Sequence, residues 1–414
     1  MRIALLSYRS KQHSGGQGVY VRHLSAGLAT LGHEVTIFSG QPYPEDLHPD
    51  VTLVKVPSLD LYRDEDPFRT PKLREFRDWI DVLEYGTMAT AGFPEPLTYS
   101  LRARRLDLSG FDIVHDNQCL GYGLLSILKR QPFVATIHHP ISRDRKVDLA
   151  AANWRRKWSM YRWYGFVKMQ ARVARRIPTL LGVSTVSAQD AIDDFKLGNE
   201  QFNVVPLGVD TDLYAPTRER VPNRIVVVAS ADKPLKGLRY FLDAAAKVRT
   251  EIDIDVQLVS NLDPEGRTVR RIAKGDLAGA VTVHSGISDE ELADLIASAQ
   301  VMAIPSLYEG FSLPAVEGLA CGTPLVASAA GALPETVGDA GVLVTPRDVE
   351  ALATEMKRFL TDSDHWVDYS ARGRQRALDK YSWVAVARST VEVYQKEIAR
   401  WAAAASKGTH HVDR

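Results

Sequence analysis

Short apolar runs separated by stretches of helical period divide the chain into two similar halves. In the first half the runs fall near residues 3–6, 35–38, 113–114, 133–137 and 180–183. In the second they fall near 224–228, 256–259, 281–283, 301–304, 324–327 and 341–344. Strand-like runs alternating with helical patterns specify a parallel sheet with crossover helices. Between the first two runs Val21, Leu24, Leu28 and Leu31 recur at spacings of three and four, and Gly32 follows as a helix stop. The stretch 204–223 is rich in Pro, Gly and charge and reads as a linker. The expected class is α/β, two Rossmann-like doubly wound domains with ligands at the carboxyl ends of the strands.

A length of 414 residues exceeds one ordinary core, in keeping with two domains. Lys plus Arg equal Asp plus Glu at 51 each, so no global case for nucleic-acid binding exists and any basic surface is local. Cys119 and Cys321 are isolated, without metal-ligand spacing, and suggest a reducing compartment rather than a disulfide framework. The first apolar run is too short for a secretory leader, and no stretch approaches the roughly 20 apolar residues of a membrane span. The expectation is a cytoplasmic protein, with peripheral contact at the inner face of the plasma membrane left open.

Candidate chemistry concentrates where Glu309 and Glu317 bracket EGFSLPAVE, between a strand-like run and a helix-like one ending at Cys321-Gly322. Phe311, Ser312 and Leu313 present backbone N–H groups just before Pro314, a residue suited to the first helical position. Free amides at a helix start make an anion site, so a diphosphate can sit there without a lysine. Glu309 in the loop suits sugar hydroxyls, and Glu317, one turn into the helix, suits a ribose. Carboxylates beside a diphosphate argue for hydroxyl binding. The competing reading is two ordinary first-turn acids favoured by the helix dipole.

With its flanks, PSLYEGFSLPAVEGLACGTPLVAS resembles the donor-site signature of the retaining glycosyltransferases of family 4, also called glycosyl transferases group 1, in which two glutamates are separated by seven residues. The resemblance implies the GT-B architecture, two doubly wound domains facing a central cleft. Residues 1–205 would form an acceptor-binding domain, completed by a C-terminal helix about 380–402. Residues 206–379 would bind the nucleotide-sugar donor, and 403–414 would be a flexible tail.

Other segments join this reading. Gly15, Gly16 and Gly18 follow the first strand and precede a helix. A dinucleotide site would need an acid about 20 residues on, but the second strand ends Phe38-Ser39-Gly40. The resemblance implies instead a loop approaching the donor phosphate and the acceptor. The plainer reading is a turn that needs glycine. His138 ends a strand at the position where the family carries a functional histidine. His139 would point to the other side, and His115 ranks lower still. In SADKPLKG, Lys236-Gly237 matches the family's diphosphate-binding lysine, while the usual arginine falls on Ser230 or Ala231. Lys233 could compensate, without the bidentate grip of a guanidinium. Gly286 and its neighbours would contact the base, and Gly310 belongs to the donor loop.

The pairs Asp210/Asp212 and Asp253/Asp255 read as turn or solvated acids, and the resemblance implies metal-independent catalysis with no cofactor. Segment 143–176 is basic and interleaved with Trp154, Trp158, Tyr161, Trp163, Tyr164 and Phe166. It reads as a core-packing helix with a basic outer face, as an amphipathic helix at an anionic membrane, or as an acceptor-phosphate site through Arg143, Arg145 or Lys146. Residues 59–105 read as an acceptor-shaping insertion. The leading expectation is a retaining hexosyltransferase moving a sugar from a UDP- or GDP-sugar to a hydroxyl of a glycan, lipid or small-molecule acceptor. The alternatives are a nucleotide-sugar epimerase of the same fold and a non-catalytic nucleotide-sugar binding protein.

Overall fold

Seven parallel strands form the first sheet: β1 (Arg2–Ser7), β2 (Glu34–Ser39), β3 (Val51–Lys55), β4 (Ile113–Asn117), β5 (Phe133–Ile137), β6 (Leu180–Gly182) and β7 (Phe202–Val204), in spatial order β3-β2-β1-β4-β5-β6-β7. The computed structural model describes residues 1–11, 16–138, 141, 145, 149, 154–229 and 233–406, apart from the side chains of Trp154, Arg155 and Lys274. At the centre, Ile3 lies opposite Val35 on one side and Ile113 on the other. The chain steps outward from β1 to β2 and β3, then returns to place β4 on the far side of β1. Ligands of doubly wound sheets sit at such a reversal, here beyond the carboxyl ends of β1 and β4.

The five expected runs all form strands, and β3 and β7 are additional. Both lie at sheet edges, where an exposed face removes the need for a continuous apolar run. The helix Gly16–Thr30 buries Tyr20, Val21, Leu24 and Leu28 against the sheet. It stops before Gly32, whose φ is +80°. The last helix, Trp383–Ser406, runs four residues into the segment expected to be a tail, because alanines 402–405 favour helix. It is tied to this sheet by Tyr394, whose hydroxyl is 2.7 Å from His115 Nδ1, and by Glu397, which accepts a 2.6 Å hydrogen bond from Thr179.

The second sheet has six parallel strands: β8 (Arg224–Val228), β9 (Asp255–Val259), β10 (Val281–His284), β11 (Val301–Ile304), β12 (Leu325–Ser328) and β13 (Val342–Val344), ordered β10-β9-β8-β11-β12-β13. Its reversal lies between β8 and β11. By their internal contacts the residues divide into unit 1, from Met1 to Val205 and from Val386 onward, and unit 2, Pro206–Ala385.

The segment read as a linker is largely docked on unit 2. Val209 pairs with Ser382, and Tyr214 is buried. Arg220 donates to the carbonyls of Ile296, Ala299, Cys321 and Gly322 and to the Thr323 hydroxyl. Arg374 reaches the carbonyls of Ala320, Tyr214 and Thr211. Two guanidinium groups thus cap the carboxyl end of the helix Leu313–Ala320, satisfying its last carbonyls and opposing its dipole.

Candidate functional site

In unit 2 the turns after β8 and β11 meet at the reversal point. The turn Pro234–Lys236 ends at Gly237, with φ +66°, where a Cβ would lie 1.9 Å from the Pro305 carbonyl oxygen. Only glycine permits that approach, which is reinforced by a Leu307 N–H to Leu235 carbonyl hydrogen bond of 2.8 Å. The result sets Lys236 Nζ 2.9 Å from Glu309 Oε1, an oxygen that also accepts from Ser306 Oγ at 2.7 Å. The Glu309 carbonyl is held by the Ala332 N–H at 2.8 Å. Glu309 is therefore a placed, largely buried carboxylate, not a loose first-turn acid.

Ser312 caps the helix Leu313–Ala320, its hydroxyl accepting from the Ala315 N–H at 3.4 Å, with Pro314 in the first turn. Among the described residues the N–H groups of Phe311, Ser312 and Leu313 donate to no protein acceptor. Gly310 is open, with no atom within 4 Å of where a Cβ would stand. The arrangement presents several amides and the positive end of a helix dipole beside Lys236 and Glu309. Glu317 is half-buried one turn further on. Burial, with Asp289 nearby, pushes its carboxyl up to about 8. No protein donor meets it among the described residues, so its hydrogen-bonding capacity is free for a ligand hydroxyl.

In unit 1, His138 follows β5. Its backbone N–H donates to Gln118 Oε1 at 2.7 Å, and its Nε2 is 2.7 Å from Asn117 Oδ1. Asn117 donates through Nδ2 to the Gln17 carbonyl at 3.1 Å, which fixes the amide and hence the protonated Nε2 tautomer. Nδ1 is left as an acceptor. Tyr20 stands edge-on to the ring at 4.6 Å, and burial lowers the imidazole to about 4, so it is neutral at ordinary pH. His115, by contrast, has both nitrogens engaged, to Tyr394 and Thr136, and is part of the core.

The glycine turn splits by role. A Cβ at Gly18 would lie 2.1 Å from the Lys11 carbonyl oxygen, so that glycine serves chain packing. Gly16 has open space around it, and Gly15 lies outside the described residues. Asn117 and Gln118 escaped the sequence reading. Their signal is three polar residues, Asp116 to Gln118, closing a buried strand, with Gln118 and Leu120 both at positive φ.

Other candidates stand elsewhere. Lys233 is exposed and lines a basic groove of about 560 Å³ with Arg239, Arg267, Arg271 and Arg347. Ser230 and Ala231, where the family arginine would fall, lie outside the described residues, as do His139, Arg143 and Lys146. Arg145 stacks on Tyr161 at 5.6 Å. Gly286, φ +65°, follows the edge strand β10 in open space. Asp210 caps its own turn through the N–H groups of Asp212 and Leu213, and Asp255 pairs with Arg224. The aromatic stripe divides: Trp163 and Phe166 pack on Phe93, while Trp158 and Tyr161 are exposed. Among the described residues no helix is long and apolar enough to cross a membrane.

Two doubly wound units, one carrying a lysine, a carboxylate and free helix amides at its reversal point, define a glycosyltransferase of the GT-B class. The chain belongs to Glycosyltransferase Family 4, whose description matches residues 14–213, with Glycosyl transferases group 1 matching 222–362. It is 59% identical over 411 residues to the MMP alpha-(1->4)-mannosyltransferase of Mycolicibacterium hassiacum, covering 97% of this chain and 100% of that one. A D-inositol 3-phosphate glycosyltransferase of Xylanimonas cellulosilytica is 28% identical, over 96% and 97% of the two chains. Sucrose-phosphate synthase from Thermosynechococcus elongatus shares the fold at TM-score 0.64 and 23% identity, covering 96% of this chain and 99% of that one. Anabaena Alr3699/HepE in complex with UDP does so at 0.64 and 17%, over 96% and 100%.

Proposed function

We propose that the chain is a retaining α-(1→4)-mannosyltransferase, moving mannose from a nucleotide diphosphate mannose to a hydroxyl of a saccharide acceptor. The observation that carries this reading is the 59% identity, across nearly the whole chain, to a protein named for α-(1→4) mannosyl transfer. Nucleotide diphosphate mannose is ordinarily α-linked, so an α product corresponds to retention.

The C1–oxygen bond to the diphosphate breaks and a C1–oxygen bond to the acceptor forms on the same face. The acceptor proton passes to a leaving phosphate oxygen. Lys236 and the amides of Phe311, Ser312 and Leu313 offset the charge gathering on that phosphate, without a metal ion. Glu309 orients the sugar through its hydroxyls, Glu317 accepts from the ribose, and His138 accepts a hydroxyl hydrogen bond at Nδ1. Unit 1 takes the acceptor.

The test incubates the purified protein with GDP-mannose or UDP-mannose, with and without an α-(1→4)-linked manno-oligosaccharide, in the presence of a chelator. A product one hexose heavier, with a new α-(1→4) bond, is expected. Donor converted to another sugar without acceptor indicates an epimerase, and donor bound but never turned over indicates a binding protein.

A further inference from the structure

Of the buried polar atoms in unit 1 that have no hydrogen-bond partner among the described residues, three stand together: Arg9 Nε, Tyr62 Oη and Glu95 Oε2. Buried polar atoms without a hydrogen bond are costly, so several together in a native fold call for an explanation, and a bound ligand supplies one. Arg9 Nε and Glu95 Oε2 are 3.9 Å apart, too far for a hydrogen bond, and Arg9 Nη2 is 3.5 Å from the Tyr62 carbonyl. The Glu95 side chain is 12% exposed. Burial pushes its carboxyl up to about 8 against the opposing pull of Arg9. Arg9 follows β1, beside the reversal point of the sheet, where doubly wound folds take ligands.

Beside this cluster runs an aromatic wall. The Tyr62 ring packs on Phe68 at 5.3 Å and on Trp163 at 5.9 Å. Phe68 and Trp163 in turn line a groove of about 560 Å³ with Met88, Met160 and Arg156. Phe68 is 60% exposed, an unusual position for a phenylalanine whose neighbours are aromatic.

We propose that Arg9, Tyr62 and Glu95, with the Phe68–Trp163 wall, form a binding subsite for a neutral hexose of the acceptor saccharide. This rests on the mannosyltransferase reading and deepens it. A guanidinium, a phenol and a carboxyl together offer both donors and acceptors, the set that sugar hydroxyls need. The C–H face of a pyranose buries well on aromatic rings. An anionic ligand fits less well, because the carboxylates of Glu84 and Asp60 stand close by. The subsite assigns a purpose to residues 59–105, which supply Tyr62, Phe68 and Glu95.

The experiment compares wild type with Tyr62→Phe, Glu95→Gln and Phe68→Ala, titrating each with an α-(1→4)-linked mannotetraose by calorimetry. Thermal stability and the affinity for GDP-mannose and UDP-mannose are read on the same preparations. We expect the three variants to bind the oligosaccharide at least fivefold more weakly, with nucleotide-sugar affinity unchanged. Tyr62→Phe removes a hydroxyl that bonds nothing in the protein, so its melting temperature should hold or rise; a structural role predicts a fall. Equal oligosaccharide affinity in all four proteins, or no binding by wild type, overturns the subsite. Saccharide binding lost in the variants while wild type transfers no mannose upholds the subsite and overturns the transfer reaction alone.

Discussion

Lys236 Nζ and Glu309 Oε1 lie 2.9 Å apart across 73 residues of sequence, joined because the turns after β8 and β11 converge. The pair stores the site in a neutral form, and a bound diphosphate would draw the ammonium toward itself, freeing the carboxylate for sugar hydroxyls. Lys236→Met should therefore lower kcat by about 10²–10³-fold, the usual cost of losing one preorganised charge-stabilising group. Steady-state kinetics with saturating donor reads this. Glu309→Gln should lose turnover similarly while nucleotide diphosphate alone binds within about threefold of wild type, since uniform ground-state binding is not what it supplies.

Glu317 provides a pH signature. Its carboxyl is raised to about 8, so the folded protein holds a proton that the unfolded chain releases near the ordinary carboxylate value. Stability is then highest below the ordinary carboxylate value, falls as pH rises from there towards 8, and levels off above it. Glu317→Gln should match wild type at about pH 3.5 and exceed it at pH 9, by about 3–5 kcal/mol, read as a higher melting temperature. Nucleotide affinity should run the other way, strengthening in wild type from pH 7 to 9 as the accepting carboxylate forms, with the dependence absent in Glu317→Gln.

His138 is lowered to about 4 by burial, so it should not titrate between pH 5 and 8. Nuclear magnetic resonance of the imidazole is the direct check. His138→Ala should reduce kcat by about 10–10²-fold, in the low range for a positioned polar group. Asn117→Ala should produce part of that loss by releasing the Nε2 tautomer. A kcat profile with an imidazole step near 6.5 that vanishes in His138→Ala would contradict the neutral assignment.

The two glycines near the start of the first helix should behave differently. Gly18→Ala forces a Cβ onto the Lys11 carbonyl at 2.1 Å and should destabilise the protein by about 1–3 kcal/mol, as overpacking does. Gly16→Ala meets open space and should leave the melting temperature within a degree or two. A loss of activity in Gly16→Ala with stability intact would mark close approach of a ligand to that backbone.

Arg220→Ala removes five donor contacts, three just after the Glu317 helix and two at the end of the helix Asp289–Ser298. It should cost about 2–3 kcal/mol, the scale for orphaning buried acceptors of a charged donor. Thermal or chemical denaturation measures it.

Much of this was legible beforehand, for physical reasons. Buried strands need continuous apolar runs, so the nine interior strands are written plainly; the edge strands β10 and β13 also carry short apolar runs, while β3 and β7, at the edges of the first sheet, are not so marked. Glu309, Glu317 and Lys236-Gly237 carry a local motif and could be found from it. Their partners could not. Ser306, Pro305, Asn117, Gln118 and Arg220 matter through contacts made across long separations, and each is an ordinary residue in its own neighbourhood. The linker misled because Pro, Gly and charge also describe a segment pinned by arginine to carbonyl groups.

Unit 2 is, along the chain, an insert: it leaves unit 1 at Val205 and returns at Val386, with the last helix still needed to close the first sheet through Tyr394 and Glu397. A graft of unit 2 between relatives would thus be a single cassette with two seams. Removing the chain from Tyr394 onward would instead cripple unit 1, leaving His115 and Thr179 without their partners.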